Sequence, residues 1–275
     1  MRSLQALAAS MLVSTLASGS ALALHPGARP GEAFTFKFSL GPVEGGRARM
    51  SIGHPVSHGG RRVVAVHGQA ETTAFVKLLA RMDDDYKLVV DTANLLPVSV
   101  AETERGIRER RISVSNVDGR TADVDFWSPE RQHKGRHLLG RIARDPLSGF
   151  FVLRALPLVD GSKIDLDVLD GNALWRVALT VRRGEKIRLE RDAEPQAAIR
   201  IDGVARRIED NGRPRAGMGP RNITLWLGDD ADRVLLRLEA DTDLGRCALE
   251  LTSYVPPATR LANERTPELP GVETR

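Results

Sequence analysis

Apolar and polar residues alternate along most of the chain with a period of two. Phe34, Phe36, Phe38 and Leu40 are separated by Thr35, Lys37 and Ser39. Successive strand residues point to opposite faces, so this spacing predicts a strand with one buried face. A turn-forming GPVEGG break leads to Ala48, Met50 and Ile52, which alternate in the same way, and the two segments read as a hairpin. Further strands are predicted over 61–70 (RRVVAVHGQA), over 83–103 with Pro97 punctuating them, and on both sides of Asp118-Gly119, a dipeptide that signals a hairpin. Downstream, Ile164, Leu166 and Val168 share one face, and the Asp170-Gly171-Asn172 turn follows. Trp175, Val177, Leu179 and Val181 share the next face, Gly184 reads as another turn, and residues 223–254 supply the last strands.

The period changes twice. In TTAFVKLLARM, Phe75, Leu78, Leu79 and Met82 fall at i, i+3, i+4 and i+7, which predicts a short amphipathic helix with Thr72 or Thr73 as its N-cap. The second change is in RDPLSGFFVLRALPLVDG, residues 144 to 161. Asp145 can accept a backbone N–H of a first turn, and Pro146 suits the first helical position, where its missing donor costs nothing. Leu147, Phe150, Phe151 and Arg154 then share a face, and Pro157 ends the segment. Ten or more short strands with two short helices give a mainly β protein, a sandwich or a barrel. With no internal repeat and no linker, one domain over residues 31–255 is expected, followed by a loose polar tail over 256–275.

The amino terminus stands apart from this pattern. Met1-Arg2, the short apolar run LQALAASMLVSTLA and Ala21-Leu22-Ala23 fit an export signal over residues 1–23, cleaved near Ala23. The run is short for a membrane span, and no cysteine follows it to take a lipid. After Ala23 no segment is long and apolar enough to cross a membrane as a helix, so a periplasmic or extracellular protein is expected. Cys247 is the only cysteine, which excludes an internal disulfide, and its alternating surroundings suggest a buried structural thiol.

The formal charge is +4 over 275 residues. Acids and bases nearly balance along the chain, and the bases are mostly Arg, which a GC-rich genome tends to encode. The basic clusters RERR (108–111) and HKGRH (133–137) are short and not interleaved with aromatics, so nucleic-acid binding gains little support.

Candidate chemistry is sparse. Ser148 has an acid three residues before it, but a serine nucleophile needs a base and an oxyanion site, and neither a nearby His nor a G-x-S-x-G elbow is present. The pairs His54/His58 and His133/His137 have helical metal-ligand spacing, yet they lie in Gly- and Arg-rich stretches that read as loops. DDDY (83–86) and GDDADR (228–233) cluster carboxylates without the spacing of a calcium loop and read as turns between strands. Distant acids could pair for glycoside hydrolysis. No catalytic, cofactor-binding or metal-binding residue is assigned from these patterns, and no cofactor is expected.

Four stretches together resemble one family of exported bacterial proteins, domain-of-unknown-function family 3108. They are FTFKFSLGPVEGGRARMSI, YKLVVDTANLLPVSVAETERGIRERRISV, DPLSGFFVLRALPLVDG and NITLWLGDDADRVLLRLEADTDLGRCALEL. The resemblance covers nearly all of the chain after the signal. It implies an exported β-rich fold, a curved antiparallel sheet or an open, flattened β-barrel around a helix, with no catalytic residues to carry over. Arg154 and Trp226 match recurrent positions of the family, and packing accounts for both. The loop SPERQHKGRH and the long tail depart from its pattern. Three functions follow as expectations. The first is a non-catalytic binding or carrier module for a lipid or glycan in the cell envelope, since curved sheets readily enclose cavities. The second is an assembly factor acting through an envelope protein partner, and the third is a hydrolase.

Overall fold

The alternating segments become strands of one sheet. The computed structural model describes residues 27–72, 83–105, 109–116, 120–139, 141–242, 245–257 and 273–274. The strands of the first half are β1 (Ala33–Leu40), β2 (Val43–Ile52), β3 (Val56–His58), β4 (Arg61–Thr72), β5 (Asp83–Asp91), β6 (Pro97–Arg105), β7 (Glu109–Asn116), β8 (Thr121–Trp127) and β9 (Gln132–Leu138). A two-residue strand β10 (Ala143–Arg144) and the helix α1 (Pro146–Ala155) come next. The second half holds β11 (Lys163–Asp170), β12 (Ala173–Ile187), β13 (Gln196–Ile208), β14 (Arg221–Gly228), β15 (Leu235–Thr242), β16 (Gly245–Val255) and β17 (Glu273–Thr274).

Strand pairing runs from β9 through β8, β7, β6, β5, β4, β2 and β1, crosses to β16, and continues through β15, β14, β13 and β12 to β11. The far side of β11 takes β17 antiparallel and β10 parallel, and β3 extends the line of β2 along β4. Every pairing except β10–β11 is antiparallel. Among the described residues no pairing joins β9 to β11, so the sheet is large and open, curved rather than closed.

The inward face carries the core. Phe34 and Phe36 on β1, Val64 and Val66 on β4, Leu88 and Val90 on β5, Ile199 and Ile201 on β13 and Leu227 on β14 are all buried. Each such side chain contributes about 1.5–3 kcal/mol by leaving water. Helix α1 lies inside the curve. Asp145 caps it, accepting from the backbone N–H of Leu147 at 2.9 Å and of Ser148 at 3.2 Å, and Pro146 takes the first position. Every residue from Ser148 to Ala155 is buried, although the sequence pattern assigned the helix only one apolar face. The reason is that the sheet wraps it, so it has no solvent side.

One buried polar network fixes this helix. Arg154 and Glu32 are both fully buried and form a bidentate pair, with two N–H···O bonds of 2.8 Å. Arg154 also donates to the carbonyls of Gly27 (2.8 Å) and Asp232 (2.7 Å), while the Tyr254 hydroxyl donates to Glu32 at 2.7 Å. The chain before β1, the helix, the β14–β15 turn and β16 are thus tied at one point. At the other end of the helix, the buried guanidinium of Arg144 donates to the carbonyls of Leu95 (2.9 Å) and Asn94 (3.3 Å).

Several expectations need correction. Gly184 does not end a strand: β12 runs through it at φ +76° as a bulge opposite β13. An extra residue with a left-handed backbone is accommodated by glycine without turning the chain. DDDY is not a turn but the start of β5, and HKGRH is not a loop but part of the edge strand β9. Thr72 closes β4. Cys247 is only half-buried. Strand β13 was not anticipated, because its alternation of Ile199 and Ile201 with Arg200 and Asp202 lies in a charged stretch. In the tail, Glu273 and Thr274 pair with β11, and Glu273 meets Arg141 at 2.9 Å. The expected signal segment, the helix over 75–82 and most of the polar tail lie outside the described residues.

Candidate ligand-binding cavity

Helix α1 spans ten residues, about 15 Å at 1.5 Å per residue, whereas β12 has fifteen residues. The helix therefore fills only part of the concave face. Small inward residues widen what is left: Ala48 on β2, Gly68 and Ala70 on β4, Ala205 on β13 and Ala240 on β15. The result is a half-open cavity of about 600 Å³, within the range of small-molecule sites. Its walls are mostly apolar. Leu147, Phe150 and Leu153 of α1 form one side, and Phe36, Met50, Leu166, Val177, Leu225 and Leu249 of the sheet form the others.

Polar groups gather at one end. The β5–β6 register sets Asp84 opposite Glu104 and Tyr86 opposite Glu102. Asp84, Tyr86 and Glu102 line the cavity, and Asp170, from the end of β11, lines it as well. Arg221 lines the cavity too, with its guanidinium 4.9 Å from the Trp175 ring centroid, and Arg49 lines it from β2. Burial is the first cause pushing the Glu102 carboxyl up to about 7, with the neighbouring charges of Glu104, Asp170 and Asp84 adding to it. The Asp84 carboxyl is pushed up to about 6, by burial first and then by Glu104. Asp170 keeps contact with solvent, yet protein surrounds it closely enough that burial, then Glu104 and Asp145, raise its carboxyl too. Asp145 is raised by burial, although its accepted hydrogen bonds, including one of 3.1 Å from Tyr86, oppose the shift. Burial and Asp145 raise the Tyr86 phenol. This is a set of carboxyl groups whose ionisation is weakened by their surroundings, placed against an apolar space.

The groups singled out from sequence lie elsewhere. Ser148 is fully buried in the first turn of α1, where its hydroxyl donates to the Asp145 carbonyl at 3.2 Å. His133 and His137 share one face of β9, but four strand steps set them about 13 Å apart, too far for one metal ion. His137 instead pairs with Asp210 at 2.9 Å. His58 ends β3 and His54 precedes it. Among the described residues no three His, Cys, Asp or Glu side chains gather as metal ligands would. The acids of 228–233 do form a turn: Asp230 accepts from the N–H groups of Asp232 and Arg233. In the basic hairpin, Arg110 donates to Glu104 at 2.6 Å, and Arg111 pairs with Glu109 and lies over Trp127. Trp226 is flanked by Arg200 and Arg237. Burial raises the Cys247 thiol, which lowers its reactivity.

Glu102, Asp170, Tyr86 and Arg221 escaped sequence reasoning, and the DDDY acids were assigned to a turn. The signal was the parity of the strands. The inward set Leu88 and Val90 continues back to Tyr86 and Asp84, Val100 continues to Glu102 and Glu104, and Ile164, Leu166 and Val168 continue to Asp170.

Taken together, the molecule is an open, curved antiparallel sheet around a buried helix, with an apolar cavity beside that helix. Residues 34–252 match the family of proteins of unknown function DUF3108, and the chain belongs to that family. Among solved structures it is similar to a β-barrel-like protein of the unknown-function family DUF1849 from Brucella abortus, with TM-score 0.48, 12% identity, and 83% of this chain and 98% of that chain covered. It is also similar to a protein from Bacteroides fragilis described as exported and YmcC-like in fold, with TM-score 0.35, 5% identity, and coverage of 85% and 99%. A protein from Parabacteroides distasonis described as a lipoprotein aligns with TM-score 0.31, 6% identity, and coverage of 83% and 96%. No curated protein matches the chain. Among the described residues no helix is long and apolar enough to cross a membrane.

Proposed function

We propose that this is an exported cell-envelope protein that binds or carries an apolar ligand in the cavity beside α1. The observation that carries the reading is the cavity itself, about 600 Å³ with mostly aliphatic and aromatic walls. Such walls favour a lipid over a glycan, because sugar hydroxyls taken from water need hydrogen-bond partners along their whole length. The charged, apolar and small-residue run ending at Ala23 supports export. The test is native mass spectrometry of the protein purified from its own exported fraction, followed by extraction of bound material. A stoichiometric lipid is the expected result. The reading fails if the protein is lipid-free and a cavity-filling variant, Ala240→Phe, takes up apolar probes as well as the wild type does.

One observation favours hydrolysis as a second reading. Titratable groups converge at the cavity, and Glu102, pushed up to about 7, has the proton affinity of a general acid. A panel of ester and glycoside substrates assayed with wild type and Glu102→Gln decides it: hydrolysis lost in the variant supports catalysis, and inert wild type ends the idea.

A further inference from the structure

The ligand class can be narrowed, and this step rests on the carrier reading above. We infer that the cavity takes a slender amphiphile whose tail lies along α1 and whose cationic ammonium head meets Asp84, Glu102 and Asp170. The distribution of charge leads to this assignment. Four carboxyl groups line the cavity, those of Asp84, Glu102, Asp170 and Asp241, against two guanidiniums, those of Arg49 and Arg221. Arg110, whose charge also acts on Asp84, Glu102 and Asp170, is already engaged by Glu104 at 2.6 Å. Asp83 and Glu104 add further negative charge around Asp84, and Asp145 adds to that felt by Asp170. The Oδ1 atom of Asp84 is buried and accepts no hydrogen bond. A buried acceptor without a donor is costly, and an N–H of an ammonium head would supply that donor.

The same arrangement disfavours the commoner amphiphiles. A fatty-acid carboxylate or a phosphate head would enter a site whose excess charge has its own sign, at a position where burial has already weakened ionisation. An ammonium head reverses that balance. It favours the charged form of the carboxyls, so amine binding near neutral pH releases protons, chiefly from Glu102.

The experiment is isothermal titration of the full protein with dodecylamine, dodecanol and dodecanoate, each below its micelle-forming concentration, at pH 8 and pH 5. At pH 8 the amine should bind roughly tenfold tighter than the alcohol, the gain of one partly desolvated ion pair, and dodecanoate should bind most weakly. At pH 5 the preference for amine over alcohol should shrink. The Glu102→Gln/Asp170→Asn double variant removes like-charge repulsion and so should fold. It should keep alcohol binding and lose most of the amine preference, the remainder being held by Asp84. Dodecanoate binding as tightly as the amine, or an amine preference undiminished in the double variant, overturns the assignment while leaving an apolar carrier standing. Failure of all three probes to bind overturns the carrier reading along with it.

Discussion

Arg154→Met is the perturbation that tests the fold most sharply. The wild-type guanidinium and the Glu32 carboxylate are both fully buried and share two bonds of 2.8 Å. Removing the arginine leaves Glu32 with the Tyr254 hydroxyl at 2.7 Å and with Arg29, whose nearest nitrogen lies at 3.7 Å. A buried charge stripped of its main partner costs about 3–5 kcal/mol. The carbonyls of Gly27 and Asp232 lose a donor as well, each adding about 1–3 kcal/mol if it stays dry. The Glu32→Met/Arg154→Met double variant removes the stranded charge and keeps the volume. Its cost reduces to those carbonyls and the Tyr254 hydroxyl, so the two substitutions should couple by about 2–3 kcal/mol. Urea unfolding of wild type, both single variants and the double variant, followed by tryptophan fluorescence, measures this directly. A coupling below about 0.5 kcal/mol, or an Arg154→Met cost within the range of an ordinary surface change, would refute the view that this pair locks the helix into the sheet.

Other expectations follow from the same structure. A carboxyl raised on folding binds protons more readily in the folded state than in the unfolded one, so Glu102 favours folding below about pH 4 and progressively loses that contribution as pH rises through about 7. Glu102→Gln should therefore stabilise the protein by about 1–3 kcal/mol at pH 8 and leave it nearly unchanged at pH 4, as read by denaturant midpoints at the two pH values. Asp145→Ala removes the cap of α1 and the acceptor of Tyr86, and should cost about 1–2 kcal/mol, seen as a lower Tm, whereas Asp145→Asn, which keeps an acceptor oxygen, should lose little. Gly46→Ala should destabilise by more than about 2 kcal/mol, because a Cβ there would lie 2.0 Å from the Glu71 carbonyl oxygen. Circular dichroism melts of that variant test the close approach of β2 to β4.

The strand-rich class and the helix start at Asp145-Pro146 were readable because each depends on local spacing or on a single cap. The order of the strands was not readable, since nothing in the pattern of Phe34 to Leu40 says that this strand pairs with residues more than 200 positions away. The cavity was hidden for the same reason: its walls come from strands of both halves, and its emptiness depends on Ala48, Ala70, Ala205 and Ala240 converging in space. Its acids were legible only as a break in composition along an otherwise apolar face. The charged stretch around Arg200 was misleading, because Arg200, over Trp226, occupies a half-buried position in β13.

The crossing from β1 to β16 divides the molecule in an unexpected place. On one side of it every strand comes from residues 33–138, and on the other every strand comes from residues 143–274. The backbone ladder between these two consecutive stretches is the single β1–β16 pairing among the described strands. A break in the chain near residues 139–142 would therefore sever no ladder. It would yield two fragments, β1–β9 and β10–β17, joined by one strand seam and by contacts of α1 and its flanks, Arg154 with Glu32, Arg144 with Leu95 and Tyr86 with Asp145. This is the architecture of a naturally splittable protein: separately made halves should recombine, and their recombination would report, without any ligand, on whether the cavity they enclose has been rebuilt.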